Sequence, residues 1–154
     1  MLGAMSGVST EPEPFSLRTR VGRLIEARVF ALRTAADADA YTAALVTETK
    51  RIPLTVAPVL LADHRPVAIY PRAVADRLIE LFLRMNSRLE RVAIIASPTN
   101  ATMVMQLQRL VREARDDKRK VTYAPAEAAS HLREVLDGTE LARVQAFLAE
   151  WKPS

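Results

Sequence analysis

Short apolar runs alternate along the chain with longer amphipathic segments. Apolar and polar residues alternate from Phe15 to Thr19, Gly22 interrupts the pattern, and a second alternating run begins at Leu24. This pattern predicts a β-hairpin. The runs "TVAPVLLAD" (55–63) and "RVAIIAS" (91–97) are too short and too apolar for surface helices. They predict strands that are buried on both faces, as in a parallel sheet.

The segments between these runs have apolar residues at helical spacing. Thr34 can cap a helix that ends before Pro53, and Pro71 can open a helix that extends to about Asn86. The predicted order is β-β-α-β-α-β-α-β-α-α. Such an order indicates an α/β fold: a mixed, mostly parallel sheet with an N-terminal β-hairpin and flanking helices, joined by right-handed crossovers.

The Pro-rich opening segment differs from the rest of the chain. Residues 1–14, "MLGAMSGVSTEPEP", are small and polar, and we expect a disordered tail there. Residues 15–152 are expected to form a single domain. The N-terminus lacks a basic segment followed by an apolar one, so no signal peptide is expected.

Composition narrows the classes of function. The chain has 154 residues, a net charge of +4, no cysteine and two histidines, His64 and His131. Thiolate catalysis and multi-histidine metal sites within one chain are therefore excluded. No apolar run approaches the roughly 20 residues of a membrane span. We expect a cytoplasmic protein that needs no cofactor.

The segments "VLLAD" (59–63), "RVAIIAS", "RLVREARDDKRKVTYAPAEAASHL" (109–132) and the closing helix pair resemble the STAS-like domains related to the sporulation anti-sigma-factor antagonist. They look most like small bacterial STAS-like proteins that group with lipid-binding CRAL-TRIO domains. The resemblance covers about residues 15–151 and lies in the order of segments. It implies a regulatory or signalling role.

One position departs from that family's pattern. The antagonists carry Asp-x-Ser after the third strand, and a partner kinase phosphorylates the serine. Asp63 matches the aspartate, whereas Arg65 stands in the serine position. The phosphorylation switch therefore does not carry over to this chain.

Polar residues follow two strands that are expected to be neighbours. Asp63, His64 and Arg65 end one strand, and Ser97, Thr99 and Asn100 follow the next. The carboxyl edge of an open α/β sheet is where such folds bind ligands. We expect the six residues to form an exposed binding rim, with Arg65 attracting an acidic partner. The alternative is that Ser97, Thr99 or Asn100 caps a helix and that His64 and Arg65 are solvated.

Catalysis by this rim is not expected. Adjacent side chains on a strand point to opposite faces, so Asp63 is poorly placed to orient His64. No nucleophile-elbow motif is present either. We therefore expect that the protein is not an enzyme.

Two further features could bind partners. The basic cluster of Arg112, Arg115, Lys118, Arg119 and Lys120 could meet phosphates, but interspersed acids and few aromatics favour a solvated turn, so no nucleic acid is expected.

Ile79 and Leu83 widen the apolar arc of the helix that follows Pro71. The excess is covered either by Phe147 or Trp151 of the last helix, or by a second copy in a homodimer.

These patterns lead to one expectation and one alternative. The expected function is a non-enzymatic regulatory or scaffolding module that binds another protein. The alternative is a small-ligand or lipid-binding carrier of the CRAL-TRIO type. A carrier needs a cavity of some hundreds of Å³ with mostly apolar walls.

Overall fold

The computed structural model describes residues 13–152. It contains strands β1 (Phe15–Val21), β2 (Leu24–Val29), β3 (Val59–Asp63), β4 (Arg91–Ile95) and β5 (Arg119–Thr122), and helices α1 (Ala35–Arg51), α2 (Arg72–Met85), α3 (Ala101–Ala114), α4 (Pro125–Arg133) and α5 (Gly138–Glu150). Their order along the chain is the predicted one. The α/β class and the N-terminal hairpin are therefore confirmed.

The five strands form one mixed sheet in the order β1-β2-β3-β4-β5. β1 pairs with β2 antiparallel, and the other three pairs are parallel. Each parallel strand lies beside the one before it, so helical crossovers of one hand place α1, α2 and α3 on the same face. The chain then places α4 and α5 on the other face, and the sheet is covered on both sides.

The alternation of side chains along the strands divides the core into two clusters. Ile25, Leu60 and Ile94 point to the face covered by α1–α3, whereas Leu61 and Ile95 point to the face covered by α4 and α5. Every residue of β2 and β3 is buried. The apolar runs of the sequence thus correspond to strands packed on both faces.

The folded domain begins slightly before the predicted boundary. The predicted tail lies outside the described residues except for Glu13 and Pro14. The carbonyl oxygen of Pro14 accepts hydrogen bonds from the amides of Phe30 and Ala31, at 2.8 and 3.0 Å. Pro14 therefore belongs to the domain.

The apolar arc of α2 is not covered by the last helix. Phe147 packs on the opposite face of the sheet and Trp151 lies over Arg65, so the alternative in which α5 covers Ile79 and Leu83 is wrong. Ile79 is partly buried against the α1–α3 core, whereas Leu83 remains 51% exposed. A homodimer through Ile79 and Leu83 stays a prediction.

The residues of the basic cluster do not all face solvent, because some of them pack against neighbouring elements. Arg119 is only 6% exposed, and its guanidinium lies over the ring of Phe82. Lys118 Nζ donates to the carbonyl oxygens of Asn86 and Leu89. The expected solvated turn is therefore wrong for Arg119, which points inward from β5.

Candidate functional site

Asp63, the last residue of β3, points toward α5 and is fully buried. Arg28 is its register partner on β2, and Arg28 Nε donates to Asp63 Oδ2 at 2.8 Å. The side chain of Arg65 donates to the same carboxylate through Nε at 2.9 Å and Nη2 at 3.0 Å. The amide of Arg65 also donates to Oδ1, at 3.0 Å. The carboxylate is thus fully engaged within the chain.

The charge state of Asp63 follows from these contacts. Burial alone would raise the pKa of Asp63, but hydrogen bonds from the side chains of Arg65 and Arg28 and the charge of Arg65 lower it below its usual value. Asp63 is therefore ionised at neutral pH and does not act as a general acid there.

The two arginines connect Asp63 to the end of α5. Arg28 Nη2 donates to the carbonyl oxygen of Phe147 at 2.6 Å, and Arg65 Nη2 donates to that of Leu148 at 3.0 Å. The C-terminal end of a helix carries partial negative charge, which favours cations there. We name Arg28, Asp63 and Arg65 the α5 clamp, because together they hold the end of this helix against the sheet.

Aromatic rings cover the clamp. The guanidinium of Arg28 lies 4.0 Å from the ring centroid of Phe147, and that of Arg65 lies 5.0 Å from the ring centroid of Trp151. Both are cation–π contacts, and the rings shield the arginines from water. The clamp is therefore internal structure and not a free surface.

The other end of α5 is held by Glu140. Its Oε1 accepts from the amide of Asp137, which completes a capping box, and its Oε2 accepts from the amide of Arg23 at 2.9 Å. Gly22, in the β1–β2 turn, has φ of 54°. A Cβ at this position would lie 2.2 Å from Glu140 Oε2. Glycine therefore allows both the turn and the close approach of Glu140.

His64 points to the opposite face of the sheet from Asp63, as the strand alternation predicts. It is 1% exposed, and its Nδ1 lies 2.6 Å from the hydroxyl of Tyr70. Burial lowers the pKa of His64 to about 4, although the charge of Asp63 opposes the shift. Histidine and aspartate thus do not form a catalytic relay.

The predicted exposure of Asp63, His64 and Arg65 is wrong. Asp63 is 0% exposed and Arg65 is 9% exposed. The physical reason is that helices cover both faces beyond the last ladder pair: α5 covers Asp63 and Arg65, and the α1–α3 layer covers His64. The proposed recognition of an acidic partner by Arg65 at the surface therefore has no structural basis.

The second half of the predicted rim has local roles. Asn100 caps α3: its Oδ1 accepts from the amide of Met103 at 3.0 Å, and its Nδ2 donates to the carbonyl oxygen of Ala68 at 2.8 Å. Ser97 Oγ and Thr99 Oγ1 lie 2.9 Å apart and bond to each other. The six predicted residues thus do not converge on one site, and partner binding by Ser97, Thr99 or Asn100 stays a prediction.

In the part of the chain that the structure describes, a groove is open at this edge. Residues 30–33, which follow β2, and residues 67–71, which precede α2, line an open groove of about 440 Å³. We call it the carboxyl-edge groove. Its walls are mainly apolar, and Ile69 is 59% exposed. The sequence signal was a short apolar stretch between Pro66 and Pro71. Because its composition is that of a buried segment, the sequence alone does not indicate a surface groove there.

One buried cavity and four open grooves are lined by residues of the described part of the chain. The buried cavity, between the sheet and helices α1 and α2, measures about 10 Å³. The four grooves are larger and open to solvent. Within residues 13–152, no cluster of three or more His, Asp or Glu side chains could hold a metal ion. No helix in that range is long and apolar enough to cross a membrane.

Comparisons of the chain with protein-family models, with curated proteins and with solved structures found no match.

Proposed function

We propose that this chain is a non-enzymatic module that binds a protein partner through the carboxyl-edge groove, in a regulatory or scaffolding role in the cytoplasm. The observation that carries the proposal is the exposed Ile69 at the mouth of a mainly apolar groove. Exposed apolar surface framed by polar residues is typical of interaction sites.

The groove is held in shape by neighbouring elements. The amide of Tyr70 donates to Gln106 Oε1 at 3.0 Å, and Gln106 Nε2 donates to the carbonyl oxygen of Tyr70 at 2.9 Å. Asn100 holds Ala68 from the same helix. A loop fixed in this way loses little conformational entropy on binding, which favours affinity.

The chemistry of the neighbouring residues supports binding over catalysis. Asp63 is ionised and forms ion pairs with Arg28 and Arg65. His64 is buried and has a lowered pKa. A general acid or base needs access to a substrate proton. Neither side chain offers that access.

The alternative, a lipid or small-ligand carrier, has less support. A carrier encloses its ligand in a cavity of some hundreds of Å³. The enclosed cavity beside His64 measures about 10 Å³, which is the volume of about one water molecule. We therefore favour a protein partner.

The proposal can be tested with a photo-crosslinking amino acid at Ile69. Leu54 provides the matched control, because it is also apolar and is 90% exposed, but lies at the opposite edge of the sheet. We expect a discrete crosslinked protein from position 69 in host cells and none from position 54. The same adducts from both positions, or none from position 69, would contradict the proposal.

The captured protein then allows a quantitative test. Ile69→Asp should weaken its binding at least tenfold, since a buried carboxylate replaces an apolar contact. Leu54→Asp should leave binding unchanged. Both variants should keep the free energy of unfolding within about 0.5 kcal/mol of the wild type, as exposed substitutions usually do.

A further inference from the structure

Strand β1 forms one edge of the sheet. It pairs with β2 on one side, and within residues 13–152 no strand pairs with its other side. With seven residues it is longer than β5, the four-residue strand at the opposite edge. An unpaired strand of this length presents a row of amides and carbonyls to which an extended segment can add as a further strand.

The pairing register determines which backbone groups of β1 face outward. The carbonyl oxygen of Pro14 accepts from the amide of Phe30, which continues the register of β1 and β2 by one pair. In an antiparallel ladder, hydrogen-bonded pairs alternate with pairs whose backbone groups point away from the partner strand. Counting from Pro14, the even-numbered residues bond to β2 until the register shifts after Thr19. The amides and carbonyls of Phe15, Leu17 and Thr19 therefore point to the free edge.

The two faces of β1 differ in chemistry. Phe15 and Leu17 are partly buried against the core on the α1 side of the sheet. Thr19 points the same way, because its Oγ1 donates to Glu48 Oε2 of α1 at 2.8 Å. Side chains alternate along a strand, so Arg18 points to the other face, where it is exposed. A strand added to this edge therefore meets apolar side chains on the α1 side and a guanidinium on the other side.

The charges of Arg18 and Arg20 are not balanced by acids of the described residues. Both side chains are exposed, and neither belongs to an ion pair within residues 13–152. Glu26 is the register partner of Arg18, but it is 2% exposed, and its two carboxylate oxygens accept from Arg143 at 2.8 and 2.9 Å. The edge thus combines outward backbone groups with two positive charges.

We propose that the edge of β1 binds an extended acidic segment of a partner protein, which adds to the sheet as an antiparallel strand. Apolar side chains of the segment lie beside Phe15 and Leu17, and its Asp or Glu side chains lie beside Arg18 and Arg20. Main-chain hydrogen bonds provide affinity in this mode of binding, and opposite charges across the two strands add to it. Other residues line the carboxyl-edge groove, and the inference does not rest on the proposed function.

A second copy of the chain fits this edge less well than an acidic segment. Antiparallel pairing of two β1 strands would bring Arg18 and Arg20 of one copy close to those of the other. Like charges that face each other across strands are destabilising, and charged residues on edge strands commonly prevent self-pairing. The same two arginines therefore disfavour a homodimer through β1 and favour a partner strand that carries carboxylates.

Amide hydrogen exchange on the full chain gives the first test. Without a partner, we expect the amides of Leu17 and Thr19 to exchange at least tenfold faster than those of Ser16 and Arg18, because only the latter two bond to β2. Exchange at Leu17 and Thr19 as slow as at Ser16 and Arg18 would mean that the edge is already covered, and it would overturn the proposal.

Two isomeric peptides give the second test. Both have the sequence Glu-Val-Glu-Val-Glu-Val; one is N-methylated on its glutamates and the other on its valines. In the proposed strand the valines face the α1 side, and their amides point to β1. We expect the first peptide to bind and to slow exchange at Leu17 and Thr19, and the second to bind at least tenfold more weakly. No binding of the first peptide, or binding of the second that is equal or stronger, would overturn the proposal.

A matched pair of double variants tests the charges. Arg18→Gln with Arg20→Gln should weaken binding of the first peptide at least fivefold, because two opposite-charge pairs across the strands are lost. Arg84→Gln with Arg133→Gln removes the same charge from exposed positions elsewhere and should leave the affinity within twofold of the wild type. Circular dichroism checks that both variants are folded. Equal affinities of the two double variants would overturn the proposal.

Discussion

The connection after β3 contains two groups of residues that differ in exposure: Asp63, His64 and Arg65 are buried, whereas Ala68, Ile69 and Pro71 are exposed. Asp63 and Arg65 are charged and His64 is polar, and all three side chains form hydrogen bonds inside the chain. The following stretch is largely apolar, yet Ile69 is 59% exposed. Polarity alone therefore does not locate the surface here. Position relative to the two helical layers decides which residues meet water.

The comparison also shows what the buried charges do. Removing one partner of a buried ion pair leaves an uncompensated charge, which usually costs about 3–5 kcal/mol. The charges of Asp63 and Arg65 thus constrain the position of α5, whereas Ile69, at 59% exposure, is the residue that we propose contacts a partner.

The largest effect is expected at Arg65. Arg65→Glu removes a donor from Asp63 and places a second carboxylate beside it, so we expect a loss of at least about 3–5 kcal/mol in the free energy of unfolding. Chemical denaturation measures the loss. Arg20→Glu is the control, because Arg20 is exposed on β1 and should change stability by less than about 0.5 kcal/mol. Equal denaturation midpoints for the two variants would mean that Arg65 is solvated.

A second prediction concerns pH and His64. Its folded pKa of about 4 lies below the unfolded value of 6.5, so the unfolded chain binds more protons between these values. The contribution of neutral His64 to the free energy of unfolding is fully present above about pH 6.5 and is lost as pH falls toward about 4. At 1.36 kcal/mol per pKa unit, the loss is about 3 kcal/mol.

The variant His64→Gln isolates this contribution. We expect the free energy of unfolding of the wild type to fall more steeply than that of the variant between pH 6.5 and 4, by about 3 kcal/mol in total. Denaturation curves at several pH values give the difference. Parallel pH profiles would show that His64 is accessible to protons, as an exposed rim would require.

A smaller effect is expected at the other end of α5. Gly22→Ala places a Cβ 2.2 Å from Glu140 Oε2 at a φ of 54°, and such strain costs about 1–3 kcal/mol. Gly138→Ala is the matched control, because a Cβ there meets nothing within 4 Å. We expect thermal denaturation to show a lower midpoint for the first variant only. An unchanged midpoint for Gly22→Ala would mean that the turn does not hold α5.

The sequence predicted the fold well because its signals are local. The apolar runs that became β3 and β4, and the breaks at Gly22 and Pro71, mark each element without knowledge of the rest. The order of elements then leaves few topologies. The α/β sheet with an N-terminal hairpin was therefore accessible from the sequence.

The candidate site could not be predicted in the same way, because the burial of its residues depends on contacts between segments that are distant in sequence. Arg65 is covered by Trp151 and by Leu148, which lies 83 residues later in the chain. The sequence places Arg119 in a solvated turn, but its guanidinium is buried and donates to the carbonyl oxygen of Phe82 and to Asn86 Oδ1. Pairing of charges across elements leaves no periodic signal in the sequence.

Residue-resolved hydrogen exchange compares the two parts most directly. The amides of His64 and Arg65 donate to the carbonyl oxygen of Ile95 and to Asp63 Oδ1, and both residues are buried. Within residues 13–152, the amides of Ala68 and Ile69 donate no hydrogen bond, and both residues are exposed. We predict slow exchange at 64 and 65, close to the rate of global unfolding, and fast exchange at 68 and 69. Equally fast exchange at all four amides would contradict the burial of the α5 clamp and would favour the exposed rim that the sequence predicts.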